Sequence, residues 1–380
     1  MNLIASPEPQ IGDVLKHDAA YEISVIYTEP VDISTLSDPE NYSISPGSFT
    51  SLRLCATNQG AILTVSGLSA GQQGVVEISN VMDTSGNILP TAVLNFTASD
   101  RLWANIGANE LGFPFDAYGI TTNAFDLISG GIQQRDEYDD ATFVGETLDG
   151  DFEVKVRVEY VDPAGAGAKA GIMIRERLDE GKPRPLDPDD PAQAFSRYVE
   201  LAVSAPVSAL GEQNSAHQIW QRAVSPSVET ISLTVTNDAP PAFTNAWLRI
   251  VRTNQQFTMW RGIDGEHWDQ IGAAAFDPPL TNTVYVGMAW CPQNDDIPPT
   301  SDQRGSFVAK FRDYEITSKA ASNLRIQMLG DHAEVTWDAG WTLETAPTVT
   351  GQWTTASSQQ SPVRVDFTEA MRFFRLKQNQ

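Results

Sequence analysis

The strongest constraint on this chain is its punctuation. From end to end, short apolar or alternating runs are cut by clusters of Gly, Pro, Asn and Asp, and no amphipathic helical stretch of useful length intervenes. Strands are predicted over Tyr21–Tyr27, Ala61–Val65, Val75–Ile78, Phe152–Tyr160, Ala170–Glu176, Arg197–Val203, Gln218–Arg222, Glu229–Thr236, Trp247–Arg252, Gln256–Arg261, Thr283–Trp290 and Ser306–Ile316. Successive side chains of a strand point to opposite faces, so each run has one apolar face to bury. Many such strands at regular spacing make sandwiches. The fold class is all-β.

At 380 residues the chain is too long for one sandwich and long enough for two or three. The composition shifts near Ala98-Ser99-Asp100, and a small-residue polar stretch, Thr317 to Ser322, reads as a linker. Three modules follow: 1–98, 99–317 and 318–380. Pro183, Pro185, Pro188 and Pro191 make 180–194 a long loop, since none can donate to a ladder.

Asp and Glu number 49 against 25 Lys and Arg, a net charge of −24. Wrapping a nucleic acid needs clustered cations, and an anionic bilayer would repel this chain, so neither is expected as a partner. No run of about 18 apolar residues exists to span a membrane. Cys55 and Cys291 are the two cysteines, which leaves no disulfide framework and no Cys-based zinc site. Met1 to Ser6 lacks the basic and apolar regions of a signal peptide, so either a cytosolic location or a signal or larger upstream region ahead of this sequence is expected.

The first module carries Tyr27-Thr28-Glu29-Pro30-Val31-Asp32, Asn41-Tyr42-Ser43-Ile44 and the turn Asp83-Thr84-Ser85-Gly86-Asn87. It resembles the bacterial immunoglobulin-like repeats of secreted and surface-layer proteins, which act as spacers. The central module carries Leu148-Asp149-Gly150-Asp151-Phe152, Ala170 to Glu176, Trp247 to Arg252 and Asp264-Gly265-Glu266-His267-Trp268. It resembles the concanavalin-A-like (LamG-type) jelly-roll domains of bacterial extracellular proteins. That resemblance implies that Asp-Gly-x-x-Trp closes a hairpin with the Trp packed over its end, and that Trp247 and Trp268 are structural. The last module, with Val335-Thr336-Trp337, Trp341 to Ala346 and Arg372 to Leu376, resembles the small β-sandwich tails of secreted proteins from planctomycete- and verrucomicrobia-like bacteria. Gln380 is then expected near a natural C-terminus, with a signal or upstream region preceding Met1, and the location is extracellular or at the cell surface.

Catalytic patterns fare poorly. Gly67-Leu68-Ser69-Ala70-Gly71 spells a nucleophile elbow, but that mechanism needs a following helix, and a strand follows here, so a small-residue loop is expected. Laminarinase-type hydrolases use Glu-x-Asp-x-x-Glu with three carboxylates on one strand face. The nearest run, Glu137 to Thr142, puts Thr142 at the acid/base position, and Asp136–Asp140 reads instead as a solvated acidic loop. His17, His217, His267 and His332 are isolated in sequence, without metal-binding spacing.

Binding offers more. Sugars stack flat C–H faces on aromatic rings and hydrogen-bond to planar polar groups. Alternation puts Arg175 opposite Ala170, Ile172 and Ile174; Gln218, Trp220 and Arg222 opposite Ile219; and Trp260 opposite Phe257 and Met259. A platform of Arg175, Tyr198, Trp220, Arg222 and Trp260, with Glu200 nearby, is the candidate site. Core packing for the two Trp and ion pairing for the two Arg are the plain alternatives. A structural Ca²⁺ is a further expectation, with oxygen ligands available in Asp136–Asp140, Asp187–Asp190 and Asn294-Asp295-Asp296, none in EF-hand spacing. The function these features favour is non-catalytic binding of polysaccharide or glycoprotein glycans, or adhesion, within a larger surface protein. The alternatives are a structural assembly role without a small-molecule site, and a glycoside hydrolase or lyase.

Overall fold

The structure, a computed structural model, describes residues 7–55, 59–108, 113, 115–131, 134–135, 138–164, 168–183, 186, 195–204, 216–223, 230–234, 241–293, 306–318, 324–337, 341–348, 351–366 and 372–378. The chain is all-β. Among the described residues, only Ile33–Leu36 and the 3-10 turn Pro39–Asn41 are helical. Every predicted strand has an observed counterpart, with ends shifted by a residue or two at most positions. Among the described residues, no helix is long and apolar enough to cross a membrane.

Two compact units emerge, Met1–Ser318 and Lys319–Gln380. The first holds two hydrophobic cores. One gathers Ile23, Val25, Leu63, Val65 and Val76 with other residues from Val14 to Ala98. The other lies between two sheets of a sandwich and runs from Leu15 and Trp103 to Tyr314. A single 15-residue strand, Ala92–Ile106, serves both. Its first part pairs with Gln73–Ile78 and its last part with Ala141–Asp149. The composition shift at Ala98-Ser99-Asp100 therefore marks a change of partner strand, and the strand runs unbroken through the position where the first module was expected to end.

The sandwich sheets are built differently. Seven strands form one, in the order Asp269–Ala275, Gln256–Gly262, Ala246–Thr253, Phe152–Val161, Phe307–Ser318, Ala124–Ser129, Asp116–Thr121. Phe152–Val161 shows its logic: Phe152, Val154, Val156 and Val158 are buried, while Glu153, Lys155 and Arg157 are half-buried on the outside. Each inward aliphatic contributes about 1.5–3 kcal/mol by leaving water, enough to fix which face turns inward.

The larger sheet runs Thr230–Thr234, His217–Arg222, Tyr198–Val203, Lys169–Arg175, Thr283–Cys291, Ala141–Asp149, Ala92–Ile106 before continuing into the first core. Its inner face supplies Ile172, Leu201 and Val286 to the sandwich. Lys169–Arg175 and Tyr198–Val203 are buried along their whole length. The outer face has an apolar cluster of its own: Ile106, Ala141, Phe143, Met173, Tyr198, Ala289 and Cys291. Gly145 and Gly287 face each other across two of its strands. A Cβ on either would come within 2.2 Å of a carbonyl oxygen opposite and within 2.8 Å of the Phe143 ring, so only hydrogen fits beneath that ring.

The second unit holds two three-stranded sheets, Arg325–Leu329 with His332–Thr336 and Val363–Asp366, and Thr354–Thr355 with Trp341–Ala346 and Phe373–Gln378. Val335, Trp337 and Leu343 form its small core.

Candidate functional site

The sequence-derived platform divides between the two outer faces of the sandwich. Arg175, Tyr198, Trp220 and Arg222 lie on the larger sheet, where Tyr198 stands opposite both Arg175 and Arg222, and Trp220 stands opposite Glu200. Trp260 lies on the seven-stranded sheet. The five do not share one face. Alternation along a strand sorts inside from outside but does not say which sheet the strand joins.

On the larger sheet the two arginines are interior groups. Arg175, Tyr198 and Asp139 are 0% exposed and Arg222 is 2% exposed, so none of the four is open to a ligand in this arrangement. Asp139 is the centre. Its two oxygens accept from Arg222 at 2.7 and 2.8 Å in a bidentate pair, and Arg175 Nη2 adds a third bond at 3.3 Å. Arg175 also donates to Asp179 at 3.0 Å and to the Arg177 carbonyl, while Arg222 donates to the Ser196 carbonyl at 3.2 Å and stacks 4.9 Å from the Tyr198 ring centroid. Burial pushes the Asp139 carboxyl up, but Arg222 and Arg175 outweigh it and hold it below the usual carboxylate range. Burial likewise drives the Tyr198 hydroxyl well above its ordinary value.

This overturns one expectation. The acidic run 136–140 was read as a solvated loop, yet Tyr138–Asp139 is a strand, and Asp139 and Asp140 are buried. Two arginines, distant in sequence, explain it, because an unpaired carboxylate would not be taken out of water. Both Asp139 oxygens are engaged by guanidinium groups. Of the other calcium candidates, Asp140 is buried, and residues 136–137, 187–190 and 294–296 lie outside the described residues.

Trp220 is half-buried beside this network. Its indole N–H donates to Gln218 Oε1 at 2.9 Å, and Lys169 Nζ sits 4.2 Å from its ring centroid. One face of the ring is thereby taken by a cation that is itself 0% exposed.

The outer face of the seven-stranded sheet is covered at one side, where Tyr118 and Ile128 pack against Ile26 and Ile62, and is more open at the other. Trp247, Trp260, Trp268 and Arg249 are each half-buried. The Arg249 guanidinium lies 5.6 Å from the Trp260 ring centroid and 5.4 Å from that of Trp268, and Nη2 donates to Glu153 at 2.7 Å. Arg249 Nε has no hydrogen-bond partner. Trp260 Nε1 donates to Thr258 Oγ1 at 3.1 Å, and Trp247 meets Trp268 edge-on at 6.3 Å. Two indoles thus flank one planar cation, in reach of solvent. Arg249 was not among the expected platform residues, although its alternation with buried Leu248 and Ile250 places it outward.

A tight turn supports this face. Asp264 accepts the N–H groups of Glu266 at 2.9 Å and His267 at 2.8 Å, which together with His267 Nδ1 pull its carboxyl down to about 2. Gly265 takes a φ of +77° against the Trp247 ring, where a Cβ would come to 2.9 Å. Trp268 then folds back beside Gly262, so the Asp-Gly-x-x-Trp element does close a hairpin end. Gly67 to Gly71 is the loop that was expected, between Gly60–Ser66 and Gln73–Ile78.

No family model matches the sequence. No curated protein matches it either. Among solved structures, a functionally unknown protein from Saccharomyces cerevisiae is 13% identical with a TM-score of 0.40, covering 58% of this chain and 98% of that one. A xylan beta-1,4-xylosidase from Bacillus halodurans C-125 is 13% identical with a TM-score of 0.34, covering 83% and 66%. The lectin I-B4 from Griffonia simplicifolia is 12% identical with a TM-score of 0.30, covering 58% and 94%.

Proposed function

We propose that this chain is a non-catalytic carbohydrate-binding or adhesion module of a secreted or cell-surface protein, with the glycan seated on the outer face of the seven-stranded sheet. The observation that carries the reading is the half-exposed pair Trp260 and Trp268 flanking Arg249. Indole faces accept the flat C–H side of a sugar ring, and a guanidinium fixed by Glu153 through Nη2 keeps its Nη1 donors for hydroxyls without first losing rotamer freedom. The charged network of Arg175, Arg222 and Asp139 is internal support for the opposite sheet in this reading. A hydrolase acid cannot be built from Asp139, which is ionised and bound to two arginines.

A glycan-array screen of the intact chain, with Ca²⁺ and again with chelator, tests the proposal. Binding that disappears in Trp260→Ala and survives in Trp220→Ala is the expected result; no binding in either condition overturns it. The same pair of conditions reports whether calcium takes part.

An assembly role has one observation in its favour. Arg325–Leu329 is an edge strand exposed at every residue, with Ile326 52% and Met328 67% exposed. Light scattering across a concentration series distinguishes this reading, because self-association abolished by Met328→Lys is its signature.

A further inference from the structure

His17 and Asp18 lie near the start of the first unit and Glu180 near its middle, and the three meet in space. One potential ligand atom from each lies within 4.8 Å of the others, and His17 Nε2 is 3.9 Å from Asp18 Oδ2. We propose that these three side chains bind one divalent transition-metal ion of the zinc class.

Donor chemistry selects the ion. One imidazole nitrogen with two carboxylates suits zinc and its neighbours, whereas calcium prefers six or more oxygens. Ligands at about 2.0–2.2 Å from a tetrahedral zinc stand roughly 3.4 Å apart, so the present spacing closes onto an ion by rotation of two exposed carboxylates. Three protein ligands leave the fourth position to water.

The histidine is already set for the task. Its Nδ1 lies 3.2 Å from the carbonyl oxygen of Trp103. A carbonyl only accepts, so Nδ1 carries the proton and, in the neutral ring, Nε2 keeps its lone pair on the side of Asp18. Hydrogen bonding of the non-ligating nitrogen to a carbonyl is the usual way a metal-binding imidazole is fixed. The ring also stacks on Trp103 at 3.7 Å and 8°, which fixes its plane. Asp18 is presented by a turn at φ 52° between strands Val14–His17 and Ala20–Tyr27. Glu180 is anchored through bridges to Ile106 and Gly107. An ion here cross-links the first hairpin to the loop that follows the strand Lys169–Arg175, and binding only the folded state raises stability.

Isothermal titration of the full chain with ZnCl₂, beside CaCl₂, tests the proposal. The expected result is one Zn²⁺ per chain, at least tenfold tighter than Ca²⁺, weakened at least tenfold in Glu180→Gln and His17→Ala. His267→Ala and His332→Ala, which remove the exposed pairs with Asp264 and Asp331, leave the affinity unchanged. Glu180→Gln alters an exposed side chain and keeps the fold, and the wild-type unfolding midpoint rises with Zn²⁺ while that of Glu180→Gln does not. The visible spectrum of the Co²⁺-loaded chain changes in His17→Ala. Absence of stoichiometric binding, binding indifferent to Glu180→Gln, or binding lost in His267→Ala overturns the proposal.

Discussion

The two outer faces of the sandwich use the same kinds of side chain to opposite ends. On the larger sheet, arginine, carboxylate and aromatic rings are driven inside: Arg222 and Arg175 pair with Asp139 and Asp179 beneath the surface, with Tyr198 stacked on the guanidinium. On the seven-stranded sheet, Arg249, Glu153 and two indoles stay within reach of water. Burial decides the role. A desolvated ion pair fixes geometry and has no free valence for a ligand, whereas a half-hydrated one between two rings keeps donors and ring faces to offer.

The sharpest way to break the comparison is Asp139→Ala. It takes the bidentate partner from buried Arg222 and leaves Arg175 with Asp179, and unfolding free energy falls by about 3–5 kcal/mol in a urea titration. A loss comparable to an ordinary surface pair contradicts the buried network. The same variant carries a pH test. The folded state holds the Asp139 carboxyl below its unfolded value, so the stability it contributes is present above about pH 4. As pH falls through the depressed folded value the contribution disappears, and the gap between wild type and Asp139→Ala narrows. A gap constant down to acid pH argues against an ionised Asp139.

Gly287→Ala is expected to cost about 1–3 kcal/mol, because the new methyl has backbone on one side and Phe143 on the other. A neutral result says that the facing strand as well as Phe143 gives way, and contradicts a tightly packed outer cluster. On the open face, Arg249→Ala is the smallest change, within about 1 kcal/mol of wild type, since its pair with Glu153 is partly hydrated. Its consequence belongs in binding instead.

The all-β fold was legible because alternation and turn residues are local signals: Leu248, Ile250, Phe257 and Met259 all turn inward as their spacing requires. The faces of Arg175, Trp220 and Arg222 on their own strands were legible for the same reason. What alternation lacks is long-range information. It does not say that Trp260 belongs to the other sheet, or that Asp139 meets arginines 36 and 83 positions away. The strand through Ala98 to Asp100 was hidden by the same limit, because its change of polarity marks a change of neighbours. His17 read as isolated because Glu180 approaches it only through the fold.

The most direct test of the central claim is a tryptophan indole N–H correlation spectrum, titrated with the strongest oligosaccharide from the array. Shifts confined to the Trp260, Trp268 and Trp247 signals, with Trp220 and Trp290 unmoved, are the predicted result. A shift at Trp220 with Trp260 silent would place the ligand on the larger sheet and contradict the division of roles proposed for the two faces.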